Sequence, residues 1–132
     1  MIYPIPFVVS AGPIRDGQMH AGSLAIASSW GCQLIHHSCS ESPNEILLSL
    51  PLDGGLVQLN GDAGMVNEDG SSWLEALGAW RQPTVLMVSP MPSGRISGLA
   101  PAYVALCTQF SVPLLGVLQL GGSWNPSHRR LD

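Results

Sequence analysis

Apolar residues along this chain come in short unbroken runs, set apart by mixed stretches and by loops rich in glycine and proline. Phe7-Val8-Val9 is one such run, bounded by prolines before it and by Ser10-Ala11-Gly12-Pro13 after it. Leu56-Val57-Gln58-Leu59, Thr84 to Val88 and Leu114 to Leu120 are three more, and Gln33-Leu34-Ile35 is a weaker fifth. Runs of this length, flanked by turn residues, predict buried strands.

The stretches between them predict helices. Gln18 to Trp30 is small and apolar, and Gly31 stands where a helix ends on glycine. Ser42-Pro43-Asn44-Glu45 predicts a helix start, with serine as cap, proline in the first helical position and Glu45 at capping-box spacing. That helix ends before Pro51. Ser72 to Trp80 predicts a third helix, with Ser72 and Glu75 again at capping-box spacing. Ile96 to Phe110 predicts a fourth, with its start near Leu99 or Ala100 because of Gly98 and Pro101. On it Tyr103, Leu106 and Phe110 form the stripe expected to face the sheet, leaving Val104 and Cys107 for a partner.

Strands and helices therefore alternate, and the strands show no polar face. Both faces of the sheet are expected to be covered, the mark of a short, mostly parallel β-sheet with helices on both sides. The expected class is α/β, with one domain over residues 1–120 and a polar tail over 121–132. Strands near 7–10, 55–60, 84–89 and 114–119 should be neighbours in that sheet.

Composition narrows the function classes. Charged residues make up 11% of the chain, the net charge is −4, and there is no lysine. Globular proteins usually carry about a quarter charged residues. So sparse a surface implies a homo-oligomer or a hetero-complex. Five scattered arginines do not form the basic face that nucleic acid requires. No apolar run approaches the roughly 20 residues of a membrane span. Met1 to Ser10 has no basic region and does not read as a signal peptide. Cys32, Cys39 and Cys107 form neither a CxxC pair nor an even set, which fits a reduced, cytoplasmic setting.

In parallel sheets ligands bind at the carboxyl ends of the strands. The loop Asn60-Gly61-Asp62-Ala63-Gly64 stands there. Its glycines would let backbone amides approach an anion, and Asp62 could hold Mg²⁺. The same residues also fit an ordinary turn tied by an aspartate. Ser93-Gly94-Arg95, ahead of a helix, could grip a carboxylate or phosphate. Arg15-Asp16-Gly17 is a third candidate loop, for which a turn is the favoured reading. His36 and His37 should point to opposite faces of their strand and so not share one ion. Cys107 reads as a packing residue and not a nucleophile. Trp30, Trp73 and Trp80 read as packing residues near helix ends, and Trp124 in the tail as a contact residue.

From Leu56 onward the chain resembles the C-terminal half of dethiobiotin synthetase, a P-loop NTPase family. The resemblance runs through Leu56 to Gly64, Asn67-Glu68-Asp69-Gly70, the helix Ser72 to Trp80, the strand in Arg81 to Val88, Ser93-Gly94, and Pro113-Leu114-Leu115-Gly116-Val117. It covers half to two-thirds of the chain in moderately specific matches, with Phe7 to Gly17 set against the family's second strand and substrate loop. The resemblance implies closure of a ureido ring on diaminopelargonic acid with CO₂, Mg²⁺ and ATP. It would place metal at Asn60 and Asp62, and ligand at Gly61, Ala63, Gly64, Ser93 and Gly94.

The chain departs from the family in its phosphate-binding residues. The family's Gly-x-x-x-x-Gly-Lys-Thr loop is absent, since a chain without lysine cannot have one. Ile5 precedes Pro6 where the family has another lysine, Asn60 stands at its acidic turn position, and Leu120 replaces its adenine-reading asparagine. The chain is then either the rear part of a longer enzyme or a relative without catalysis. The alternative is a non-catalytic α/β subunit that acts by protein–protein assembly.

Overall fold

The computed structural model describes residues 5–51 and 54–121. In chain order the elements are β1 (Phe7–Ser10), α1 (Asp16–Trp30), β2 (Gln33–Ser38), α2 (Pro43–Ser49), β3 (Gly55–Asn60), α3 (Trp73–Ala79), β4 (Thr84–Val88), α4 (Leu99–Gln109) and β5 (Leu114–Gln119). The strands form one sheet in the order β2-β3-β1-β4-β5, and every pairing is parallel. The expected α/β architecture is therefore present, with β1 at its centre.

This order dictates where the helices lie. The chain moves one way along the sheet from β1 to β2, and the other way in the three later crossovers. Crossovers of constant hand place helices on opposite faces when the direction reverses. Accordingly α1 is, among the described residues, the one helix on its face, where Met19 and Ala27 pack on Val8, Leu56, Val85 and Met87. Helices α2, α3 and α4 share the other, where Leu47, Trp73, Leu77 and Cys107 pack with Phe7, Val9, Val57, Leu59 and Leu86. Burial on both faces explains why β1, β3 and β4 lack a polar side.

The edge strands depart from that rule. β2 and β5 are half-buried or exposed along their lengths, having a neighbour on one side only among the described residues. β2 also runs past Ile35 to Ser38, because it matches β3 residue for residue from Gln33–Gly55 to Ser38–Asn60.

Local signals held where the chain's own chemistry specifies a boundary. Gly31 ends α1 at φ 67. The Ser72 hydroxyl accepts from the Glu75 amide at 3.2 Å and opens α3. Ser42 occupies the cap of α2 but its side chain makes no capping bond, so the capping box expected with Glu45 is not formed. Arg15-Asp16-Gly17 is the start of α1 and not a free turn.

Helix α4 is rotated from its expected setting. Its buried residues are Ala100, Tyr103 and Cys107, while Leu106 and Phe110 are only partly buried and Val104 packs against the same core. A helix this apolar on every side carries no polar stripe to set its rotation. Cys107 is thus a core residue, as read, but on the sheet-facing side. Trp73 is fully buried, and its indole N–H donates to the carbonyls of Cys39 and Glu41. Trp30 is 52% exposed and does not serve the core. Trp124 and the tail from 122 lie outside the described residues.

Candidate functional site

The chain leaves β1 toward the α1 face and leaves its neighbours β3 and β4 toward the opposite face. Such a divergence opens a crevice at the carboxyl ends of the strands. A cleft of about 380 Å³ lies at that point. It is lined by Ser10, Gly12 and Asp16 after β1, by Gly61 and Asp62 after β3, and by Leu99 and Tyr103 of α4.

The cleft is built from interlocking local bonds. The Ser10 hydroxyl donates to the Gly61 carbonyl at 3.4 Å and ties the ends of β1 and β3. Gly61 has φ 106, and a Cβ there would stand 3.2 Å from that of Cys39. A side chain would be both strained and crowded at this position. Asp62 Oδ1 accepts from the Gly64 amide at 2.9 Å and from the Tyr103 hydroxyl. The turn role of Asp62 is therefore real, and it reaches across to α4. Ala63 is fully buried, and its carbonyl accepts from the Leu74 amide at 3.0 Å.

Burial and the Asp62 carboxylate dominate the titration here. Burial raises the Tyr103 pKa, and the hydrogen bond to Asp62 adds to the shift. Burial likewise pushes the Cys39 thiol up to about 12, helped by the Asp62 charge. Both groups are neutral at physiological pH.

The remaining expected residues fall outside this cluster. Asn60 Oδ1 accepts from Gln58 Nε2 at 2.8 Å, so that oxygen is already engaged. Ser93 and Gly94 occupy an exposed turn, in which the Gly94 amide donates to the Met91 carbonyl at 2.8 Å. They do not line the cleft. Helix α4 begins beyond them, where the Ser97 hydroxyl accepts from the Leu99 amide at 3.1 Å. A ligand in the cleft would meet Gly61 and Asp62, but not Ser93 or Gly94. His36 stacks on His20 with ring centroids 5.1 Å apart, while His37 pairs with Glu41 at 3.2 Å. Among the described residues no three His, Cys, Asp or Glu side chains gather as a metal set.

Two lining residues, Ser10 and Tyr103, are not evident from the sequence, whereas Asp16 belongs to the third candidate loop, Arg15-Asp16-Gly17. One signal for the first loop was present. Gly12 and Gly17 are separated by four residues and followed by Gln18 and Met19. This is the spacing of a Gly-x-x-x-x-Gly-Lys-Ser/Thr loop, with glutamine at the lysine position and methionine at the hydroxyl position. Met19 is buried in the core. Gln18 Nε2 donates to the Leu120 carbonyl at 3.2 Å, bracing the end of β5.

No protein family, curated protein or solved structure matches this chain.

Proposed function

We propose that this chain is a dethiobiotin-synthetase-like α/β domain that binds a small molecule at the carboxyl edge of its sheet without using ATP. The observation that carries this reading is the cleft itself, at the point where α1 and α4 diverge, floored by the turn Gly61-Asp62. That turn is the strongest part of the resemblance.

The loop after β1 supports the loss of phosphoryl transfer. Its glycines, Gly12 and Gly17, keep the spacing of a phosphate cradle, which favours matching this loop to the family's nucleotide loop over matching it to the substrate loop. Lysine and the metal-binding hydroxyl are replaced by Gln18 and Met19. The side chain of Gln18 is turned to Leu120. Asp16 and Asp62 both line the cleft, and among the described residues no Lys, Arg or His does. Two carboxylates without a countercharge oppose a polyphosphate. Asp62 Oδ1 already takes two donors, so the turn is a poor match for Mg²⁺, which seeks near-octahedral oxygen ligation. The residues present therefore do not fit Mg-ATP.

The same carboxylates suit a ligand that carries amines, as the diamino acid of the resembled family does. Thermal melts of the whole chain with diaminopelargonic acid, and separately with Mg-ATP, test the reading. A shift with the diamino acid alone is expected. A shift with Mg-ATP alone would reject it. The second reading, a non-catalytic assembly subunit, is favoured by the exposed apolar residues Leu115, Val117 and Leu118 on β5.

A further inference from the structure

The two edges of the sheet differ in chemistry. β2 reads Gln-Leu-Ile-His-His-Ser, a polar edge. β5 reads Leu-Leu-Gly-Val-Leu-Gln and carries no charge. Leu115 is 57% exposed, Val117 42% and Leu118 43%, although β5 belongs to a sheet whose inner strands are buried on both faces. Proteins protect free edges with charge, proline or shortness. β5 is as long as β2 and β3, and it has no charge or proline within it. Among the described residues only β4 pairs with it.

We propose that β5 pairs antiparallel with β5 of a second copy of this chain, joining two five-stranded sheets into one. The sequence is self-complementary under a two-fold axis at Val117. Val117 then meets Val117 of the second copy, and Leu115 meets Gln119. Leu118 falls opposite Gly116, twice by symmetry. Gly116 has open space where its Cβ would stand, which receives a leucine from across the axis. No charged residue lies in β5, so antiparallel pairing sets no like charges together. Val117 points to the face of Leu86, and Leu118 to the face of Met87, so the contact would extend both faces of the sheet. This inference stands apart from the cleft reading, since none of these residues lines the cleft.

Sedimentation of the full chain at micromolar concentration tests it, with a dimer expected. Val117→Lys should give a monomer with unchanged helical circular dichroism, because a lysine pair at the axis repels. Val117→Cys should form a covalent dimer on mild oxidation. Wild type, with its native Cys32, Cys39 and Cys107, should not, and neither should a His36→Cys control on the opposite edge. A monomeric wild type, a dimeric Val117→Lys or an uncrosslinked Val117→Cys would each overturn the proposal. So would a monomer that dimerises only when residues 122–132 are removed, which would assign the edge to the tail.

Discussion

The hydroxyl of Tyr103 donates to Oδ1 of Asp62 across 41 residues of sequence. This bond joins the turn after β3 to the middle of α4, and it closes one wall of the cleft. A carboxylate acceptor makes it charge-assisted, and its partial burial strengthens it.

Alkaline pH should expose this arrangement. Tyr103 and Cys39 both have folded pKa values raised above their unfolded values. Their contribution to stability is complete below the unfolded values, near 9 for the thiol and 10 for the phenol. It is lost as pH rises toward the folded values, about 12 for Cys39. The unfolded chain releases protons first, so stability falls by up to about 1.4 kcal/mol per pH unit for each group. Tyr103→Phe should cost about 1.5 kcal/mol at neutral pH, the worth of a hydrogen bond to a charged group. It should also flatten the fall above pH 10. Urea unfolding at pH 7 and at pH 11 reads both effects, and an unchanged slope in the variant would count against the assignment.

Gly78 should tolerate no side chain. A Cβ at this position would stand 1.9 Å from the backbone carbonyl oxygen of Phe110, where α3 meets the end of α4. Backbone cannot swing aside as a flexible side chain does. Gly78→Ala should therefore cost at least about 3 kcal/mol, the upper part of the usual overpacking range. Denaturant unfolding measures it, and a loss below about 1 kcal/mol would show that the helices are not so close.

Two joints in the chain are alike and should respond alike. Arg81 follows α3 with φ 54, and Ser111 follows α4 with φ 60. Each stands after an aromatic residue and two residues before a proline that leads into a strand. The next amides close the same bonds, Gln82 to the Leu77 carbonyl and Val112 to the Cys107 carbonyl. Left-handed backbone costs a non-glycine residue about 1–2 kcal/mol. Glycine returns part of that gain through a more flexible unfolded chain. Arg81→Gly and Ser111→Gly should each stabilise the protein by about 0.5–1 kcal/mol, and nearly additively, as thermal melts would show.

These joints indicate why parts of the fold were legible in the sequence. Gly31, Ser72 and the runs at β1, β3 and β4 are local chemistry, and their elements lie within a residue or two of expectation. The strand order, which places β1 between β3 and β4, depends on crossovers that no local pattern records. The extension of β2 to Ser38 comes from its ladder with β3. The rotation of α4 was hidden because the helix is apolar all round, so that Cys107 and Leu106 read alike. In the cleft, Gly61 and Asp62 were legible as a glycine-rich turn. Tyr103 was not, since its role rests on a contact between distant elements. Ser93 and Gly94 had suitable residue types but are held in a separate exposed turn.

The proposed function puts an amine-bearing small molecule, and not a nucleotide, in the cleft between Asp16 and Asp62. Titration calorimetry of the wild-type chain with diaminopelargonic acid, and separately with Mg-ATP, tests it most directly, with Asp62→Asn as the shape-preserving variant. Heat of binding is expected with the diamino acid, with an affinity at least about tenfold weaker in Asp62→Asn, a loss of about 1.4 kcal/mol. No binding of Mg-ATP is expected. A low-micromolar dissociation constant for Mg-ATP, or a wild-type chain that gives no heat with the diamino acid, would contradict it.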